Sequence, residues 1–240
     1  MLSWRQFTLD SVQAAMFAAD RSTFDSGRVV ATILRNFGEQ FSGEMQVLPS
    51  ATNLPPEIPR VVLLSKNNSR QIQAGPARFN LIWNRNASDT QVNLEQILLQ
   101  CVDVLEYYVR ETRTHVGRLG LVLKRSCAND DPAQTLIRRF CTEESRHEPF
   151  NRSANFEIHN HKEYSPAIQG VDYRINSWVR CQSGAIEPDD SPAVLVIQDL
   201  NTLAAEMERH RFDVEQIRRF FLMASREAEI IMEKYFPERE

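Results

Sequence analysis

Two stretches constrain this chain more than anything else in it. Asn93–Glu111, NLEQILLQCVDVLEYYVRE, and Asp213–Lys234, DVEQIRRFFLMASREAEIIMEK, start 120 residues apart on nearly the same five residues, Asn-Leu-Glu-Gln-Ile against Asp-Val-Glu-Gln-Ile. Each carries an apolar stripe at helical spacing. In the first it is Leu94, Ile97, Leu98, Cys101, Leu105 and Tyr108. In the second it is Val214, Ile217, Phe221, Ala224, Ala228, Ile231 and Tyr235. A long helix with one apolar stripe must bury it against another element, and an antiparallel sheet with one apolar face is a common solution.

Strand signals precede both helices. Phe7–Ala19 reads as an opening strand and Asp25–Phe41 as a helix capped by Asp25 or Ser26. Gly43–Pro49, Arg60–Lys66 and Arg70–Ala74 read as strands, and in Ala77–Asn84 the residues Phe79, Leu81 and Trp83 alternate with Arg78, Asn80 and Ile82, the half-buried pattern. The three prolines of Leu54–Pro59 predict a surface connection. After the first long helix, His115–Arg125 reads as a strand, Pro132–Cys141 as a helix behind an Asp131 cap, and Ala154–Tyr164, Ile175–Ser183 and Ala193–Leu200 as strands. Gly184–Pro192 is expected to be a proline-bearing loop, and the last helix is expected over Arg211–Phe236. The expected fold is α+β. Two similar halves, 1–113 and 114–240, are fused into one unit, each a curved antiparallel sheet gripping its long helix. Ala31–Phe37 and Gln134–Phe140 match in pattern and occupy the same place in each half, which supports that layout.

Composition removes several function classes. Net charge is −4, so no whole-molecule attraction to nucleic acid or anionic lipid is indicated. With only 8 glycines there is no room for glycine-rich phosphate loops, and Walker, Rossmann and kinase patterns are absent. Cys101, Cys127, Cys141 and Cys181 have neither metal-type nor disulfide-type spacing, which points to free thiols in a reducing cytoplasm. No apolar run approaches the ~18–20 residues of a membrane span, and MLSWRQFTLD lacks a signal pattern. The sequons at Asn67, Asn86 and Asn151 are then chance matches.

Glu157, His159, His161 and Glu163 share one face of their strand, a sensible donor set for a divalent ion. The plainer reading makes them the solvated face of an outer strand. Arg110 and His115 have the R-x4-H spacing of a class of helical ribonucleases, but those need both residues on a helix; the plainer reading is a basic helix C-terminus. Arg138, Arg139, Arg146 and His147, and separately Arg218 and Arg219, form small basic runs. Adjacent acids dilute the first and the second lies off the apolar stripe, so both read as solvated faces. Cys141 with His147, or Ser177 with any histidine, lacks an orienting group and an oxyanion turn, so no catalytic residue is assigned.

The strand Arg70–Trp83 with its Gly-Pro break, the long helix and Arg118-Leu-Gly-Leu together resemble a sporadically distributed family of uncharacterised bacterial proteins of about this length. That family carries an Asn-Trp pair near the end of the middle strand and an R-I-G-L-R-Y-like strand after the helix. Here the asparagine is displaced, in Phe79-Asn-Leu-Ile-Trp83, and the tyrosine is lost. The resemblance covers the first 125 residues. It implies an α+β fold, no assigned activity, and genes beside mobile elements or defence systems. The expectation drawn is a cytoplasmic, non-enzymatic interaction module with a protein partner, no cofactor and no membrane association. The alternatives are a metal-dependent enzyme or nuclease at His159/His161, and a nucleic-acid-binding saddle.

Overall fold

The computed structural model describes residues 2–20, 24–48, 54–86, 92–166 and 172–238. Met1, Pro49 at the end of the second strand candidate, and Ala87 and Ser88 of the middle sequon lie outside the described residues.

The fold is α+β. Nine strands form one sheet: β1 (Thr8–Ala18), β2 (Met45–Val47), β3 (Val61–Leu64), β4 (Arg70–Ala74), β5 (Arg78–Asn84), β6 (Val116–Ala128), β7 (Glu157–Tyr164), β8 (Ile175–Ile186) and β9 (Ser191–Thr202). Their order is β2-β3-β4-β5-β1-β6-β9-β8-β7, and every neighbouring pair is antiparallel. The helices are α1 (Ser26–Phe37), α2 (Leu94–Thr112), α3 (Pro132–Phe140), the short α4 (Glu143–His147) and α5 (Val214–Tyr235). No helix among the described residues is long and apolar enough to cross a membrane. The first strand, β1, and the strand after the first long helix, β6, pair at the centre, from Thr8↔Ser126 to Ala18↔Val116. The sheet is therefore continuous across residues 113 and 114.

Alternation decides which side chains meet the helices. In register across β5, β1, β6 and β9, Leu81, Ala14, Leu121 and Leu200 form one apolar row; Trp83, Val12 and Leu123 form the next. These residues share one core with Leu94, Ile97, Leu98, Cys101, Leu105 and Tyr108 of α2 and with Ile217, Phe220, Phe221, Ala224 and Ala228 of α5. The buried stripe of α5 thus includes Phe220 and Met232, whereas Val214, Ile231 and Tyr235 are only half-buried. A second cluster lies under α3 and the end of α5, where Leu136, Met232 and Phe236 meet Val179, Cys181, Val194 and Val196.

The five-residue echo is helix-start chemistry. Asn93 and Asp213 are N-caps whose side chains accept from the amides of Gln96 and Gln216, and Gln216 closes a capping box on Asp213. Ile97 and Ile217 follow as buried residues of the first turn.

Four expectations are corrected. Gly184–Pro192 is not a loop: β8 runs to Ile186 and β9 begins at Ser191, so Pro192 sits next to the hairpin turn, where a missing amide disturbs the ladder least. The last helix starts at Val214, because Phe212 bridges to Val116 and holds the preceding segment extended. Asn80, expected on the exposed phase of its strand, has no exposed surface, because neighbours on both sides close over it. Arg218 is not simply solvated. Its guanidinium bridges the two long helices, reaching Glu106 at 2.7 Å and Asp103 at 2.9 Å. Those bonds, Glu106 first, raise its pKa further and keep it charged. They also satisfy Glu106, which is otherwise buried.

Candidate interaction face

The helices occupy one face of the sheet, and the alternate side chains of the same strands form the other. Successive cross-strand neighbours on that face can be followed from edge to edge. One row reads Gln46, Val62, Gln73, Asn80, Ala15, Gly120, Asn201, Asn176, Glu163. The next reads Leu64, Gln71, Ile82, Gln13, Val122, Asp199, Trp178, His161. Most of these side chains are half-buried or exposed, and Trp178 is 41% exposed. At the centre Ala15 and Gly120 are small and buried, with the Phe17 ring and the Asn201 side chain beside Gly120.

A hydrogen-bonded chain crosses four strands here. Arg118 lies over the Phe17 ring, 4.7 Å from its centroid, and donates to the Thr202 carbonyl and to Asn201 Oδ1. Asn201 Nδ2 donates to Asp199 at 2.8 Å, Asn176 donates to Asn201, and Asn176 Oδ1 meets His161 Nε2. His161 stacks flat on Trp178, with centroids 4.1 Å apart. Burial pushes the Asp199 carboxyl up, against the bond from Asn201 and the charge of Arg118. Burial likewise lowers Arg118, opposed by Asp199. The two groups thus stabilise each other's ionised forms. Near the β8–β9 hairpin the same face opens into a cleft of about 810 Å³ bordered by Lys124, Gln182, Ile186, Leu195 and Ile197.

The expected site residues fall at the margin of this face. Glu157, His159, His161 and Glu163 all lie exposed on the edge strand β7. His159 contacts Glu157, which also pairs with Arg180, while Glu163 pairs with Arg174. They are therefore spread among separate partners. Among the described residues no group of three or more His, Cys, Asp or Glu is arranged to hold a metal ion. Arg110 lies on α2, paired with Glu106, whereas His115 lies beyond its end, so the two do not share a helix. Trp178 stands between His161 and Asp199 in their row and keeps them about two strand spacings, ~10 Å, apart. Burial pushes the Cys101 and Cys181 thiols up to about 12, which removes them as nucleophiles. Arg118, Asn201 and Asp199 have no site role in the sequence reading, which weighs Trp178 only with Tyr173 as aromatics beside the basic runs. The signal that could have marked them is a tryptophan and an aspartate on the polar phase of apolar strands. Arg118, Gly120 and Asn80, which belong to the motifs of the family resemblance, all lie on this face.

A second surface adjoins the other edge. Six of the eight exposed large hydrophobic residues among the described residues fall within one short span: Leu34, Met45, Val47, Leu48, Leu54 and Ile58. The elements that carry them are tied together. β2 pairs with β3, the Leu48 amide donates to the Arg60 carbonyl, and Arg60 Nη2 donates to the Leu54 and Pro55 carbonyls.

No protein-family model matches this chain, and no curated protein matches it. Among solved structures it is similar to two di-domain ARO/CYC proteins. One is BexL of the BE-7585A biosynthetic pathway, at 11% identity and a TM-score of 0.22, covering 98% of this chain and 99% of that one. The other is StfQ of the steffimycin pathway, at 10% identity and a TM-score of 0.19, covering 95% and 97%. Similarities at this level carry no argument about the activity of this chain.

Proposed function

We propose that this chain is a non-enzymatic binding module whose helix-free sheet face receives a protein partner. The observation that carries the reading is Trp178, a large aromatic left exposed between Asp199 and His161 in its row and stacked on the His161 ring. Tryptophan and arginine are the residues most enriched at the energetic centres of protein interfaces. Eight strand spacings give the face a width of roughly 38 Å, enough for the ~800 Å² per partner of a standard interface. Charge favours protein over nucleic acid. Arg78, Arg118, Lys124 and Arg180 are nearly balanced by Glu157, Glu163 and Asp199, so little counterion release is available to drive phosphate-backbone binding. The exposed Met45, Val47, Leu48, Leu54 and Ile58 add a surface that water disfavours and a protein can cover.

The same reading treats the fold as a duplication, with β1 and β6 as counterparts at the centre, β5-β4-β3 matching β9-β8-β7 outward, and α2 matching α5. Asp25 and Asp131 cap the corresponding short helices in the same way.

The test is site-specific photo-crosslinking in cells of the source organism, with the reactive residue at Trp178 or, as control, at the outward Ile230 of α5. A discrete protein adduct from position 178 alone is expected, and it should weaken in the Arg118→Ala background. Adducts to nucleic acid, or equal labelling from both positions, would overturn the reading. Stoichiometric metal in the purified protein, lost with His159→Ala and His161→Ala together, would redirect it toward metal chemistry.

A further inference from the structure

Away from the sheet face, a small cavity of about 180 Å³ opens where the segment before α5 meets the start of β8. Its volume equals about six waters at ~30 Å³ each. Arg209, Arg211 and Arg219 line it, with Asp172 as the opposing charge. Arg219 also pairs outward with Glu215 at 2.9 Å, and His210 is held by Glu206 at 3.4 Å. Arg211 donates only to backbone carbonyls, at Glu208 and His210, and Arg209 has no ion-pair partner among the described residues. The wall is thus left with a surplus of positive charge.

The second observation is Tyr173. It lines the cavity, is only 8% exposed, and its hydroxyl is buried without any hydrogen-bond partner. Phe212 and Phe220 meet its ring edge-on, at 5.5 and 6.1 Å between centroids, and fix its direction. The hydroxyl lies close enough to Arg219 to feel that charge, yet burial pushes its pKa up to about 12. It therefore remains a donor at neutral pH, and a buried donor left unmade costs about 1–3 kcal/mol. An acceptor entering the cavity would remove that cost.

We propose that this cavity binds the phosphate group of a small ligand, held by Arg209, Arg211 and Arg219 with the Tyr173 hydroxyl donating at its base. A phosphate offers three oxygens to three guanidinium groups, and arginine matches that geometry in bidentate fashion. A carboxylate has two oxygens, fewer than the donors that converge here.

The experiment titrates the purified full chain with inorganic phosphate, following heat and thermal midpoint against sodium chloride at equal ionic strength, with acetate alongside. A saturable midpoint rise with phosphate is expected, and acetate should bind at least tenfold more weakly. Arg219→Ala should weaken phosphate binding at least tenfold and Tyr173→Phe three- to tenfold. Tyr173→Phe keeps the ring packing, so its folded fraction should be unchanged. Arg226→Ala, an exposed arginine of α5 outside the cavity, should bind as the parent does. A phosphate response no larger than that to chloride, equal binding of acetate, or equal losses from Arg226→Ala and Arg219→Ala would overturn the proposal.

Discussion

On β6, Leu119, Leu121 and Leu123 face the helices while Arg118, Gly120 and Val122 face away. The same division runs through the sheet, and the two faces solve opposite problems. The covered face excludes water with leucine, valine and phenylalanine, and two of its buried polar groups are answered by a helix. Arg125 reaches Glu229 of α5, and Gln198 donates to the Ala228 carbonyl at 2.8 Å. The other face buries Asn80 and Asn201, leaves most of its other polar groups half-buried or exposed, and ties several of them together in a chain from Arg118 to His161. On the proposed reading, stability is concentrated on the first and recognition on the second, so substitutions one residue apart should separate the two properties.

The largest separation is expected between Leu121 and Val122. Leu121→Ala should lower stability to urea by about 2–5 kcal/mol, as for a fully buried leucine. Val122→Ala should cost less than about 1 kcal/mol, and an equal loss at both would mean that both faces are covered. Next, Glu229→Gln leaves the Arg125 guanidinium buried without its carboxylate and should cost about 1–3 kcal/mol, while Arg125→Met should cost less because it removes the charge that needs a partner. A smaller effect tests the open face by pH. Burial raises the Asp199 carboxyl, so its contribution to stability is greatest below the ordinary aspartate range and falls as pH rises through the folded value. Asp199→Asn should therefore be more stable than the parent at pH 7, and the gain should shrink as denaturation is repeated toward pH 4. A gain that grows with acid would reverse the assignment. The smallest change in stability, within about 0.5 kcal/mol, is expected for Trp178→Ala. The same substitution should weaken partner binding more than tenfold.

Much of the covered face was legible in the sequence, because period alone reports it. Every position of the α2 stripe is buried, although Val102, Val104 and Glu106 are buried beside it, and β5 lies where alternation puts it. The open face was less legible for a physical reason. Its chain of contacts joins Arg118 to Asn201, and Asn176 to His161, residues brought together by strand pairing rather than by spacing. β9 concealed its own polar phase, since Leu195 and Ile197 are apolar on the exposed side and make AVLVIQDL read as uniformly buried. Pro192 suggested a loop because a hairpin tip and a true break carry the same local signal. The repeated Asn/Asp-x-Glu-Gln-Ile pentad marked two capped helices correctly. Capping chemistry accounts for those letters without common descent, so the duplication argument rests on the order of elements instead.

The central pairing of β1 with β6 also sets a timetable. During synthesis β1 emerges about a hundred residues before β6, a wait of roughly 5–20 s at elongation rates of about 5–20 residues per second. β5 arrives earlier and can shelter one edge of β1, but the other edge, with Val12, Ala14 and Met16 beside it, stays open until β6 appears. That interval is when a nascent chain of this design is most exposed to wrong partners, and when a chaperone acting on it would have the most effect.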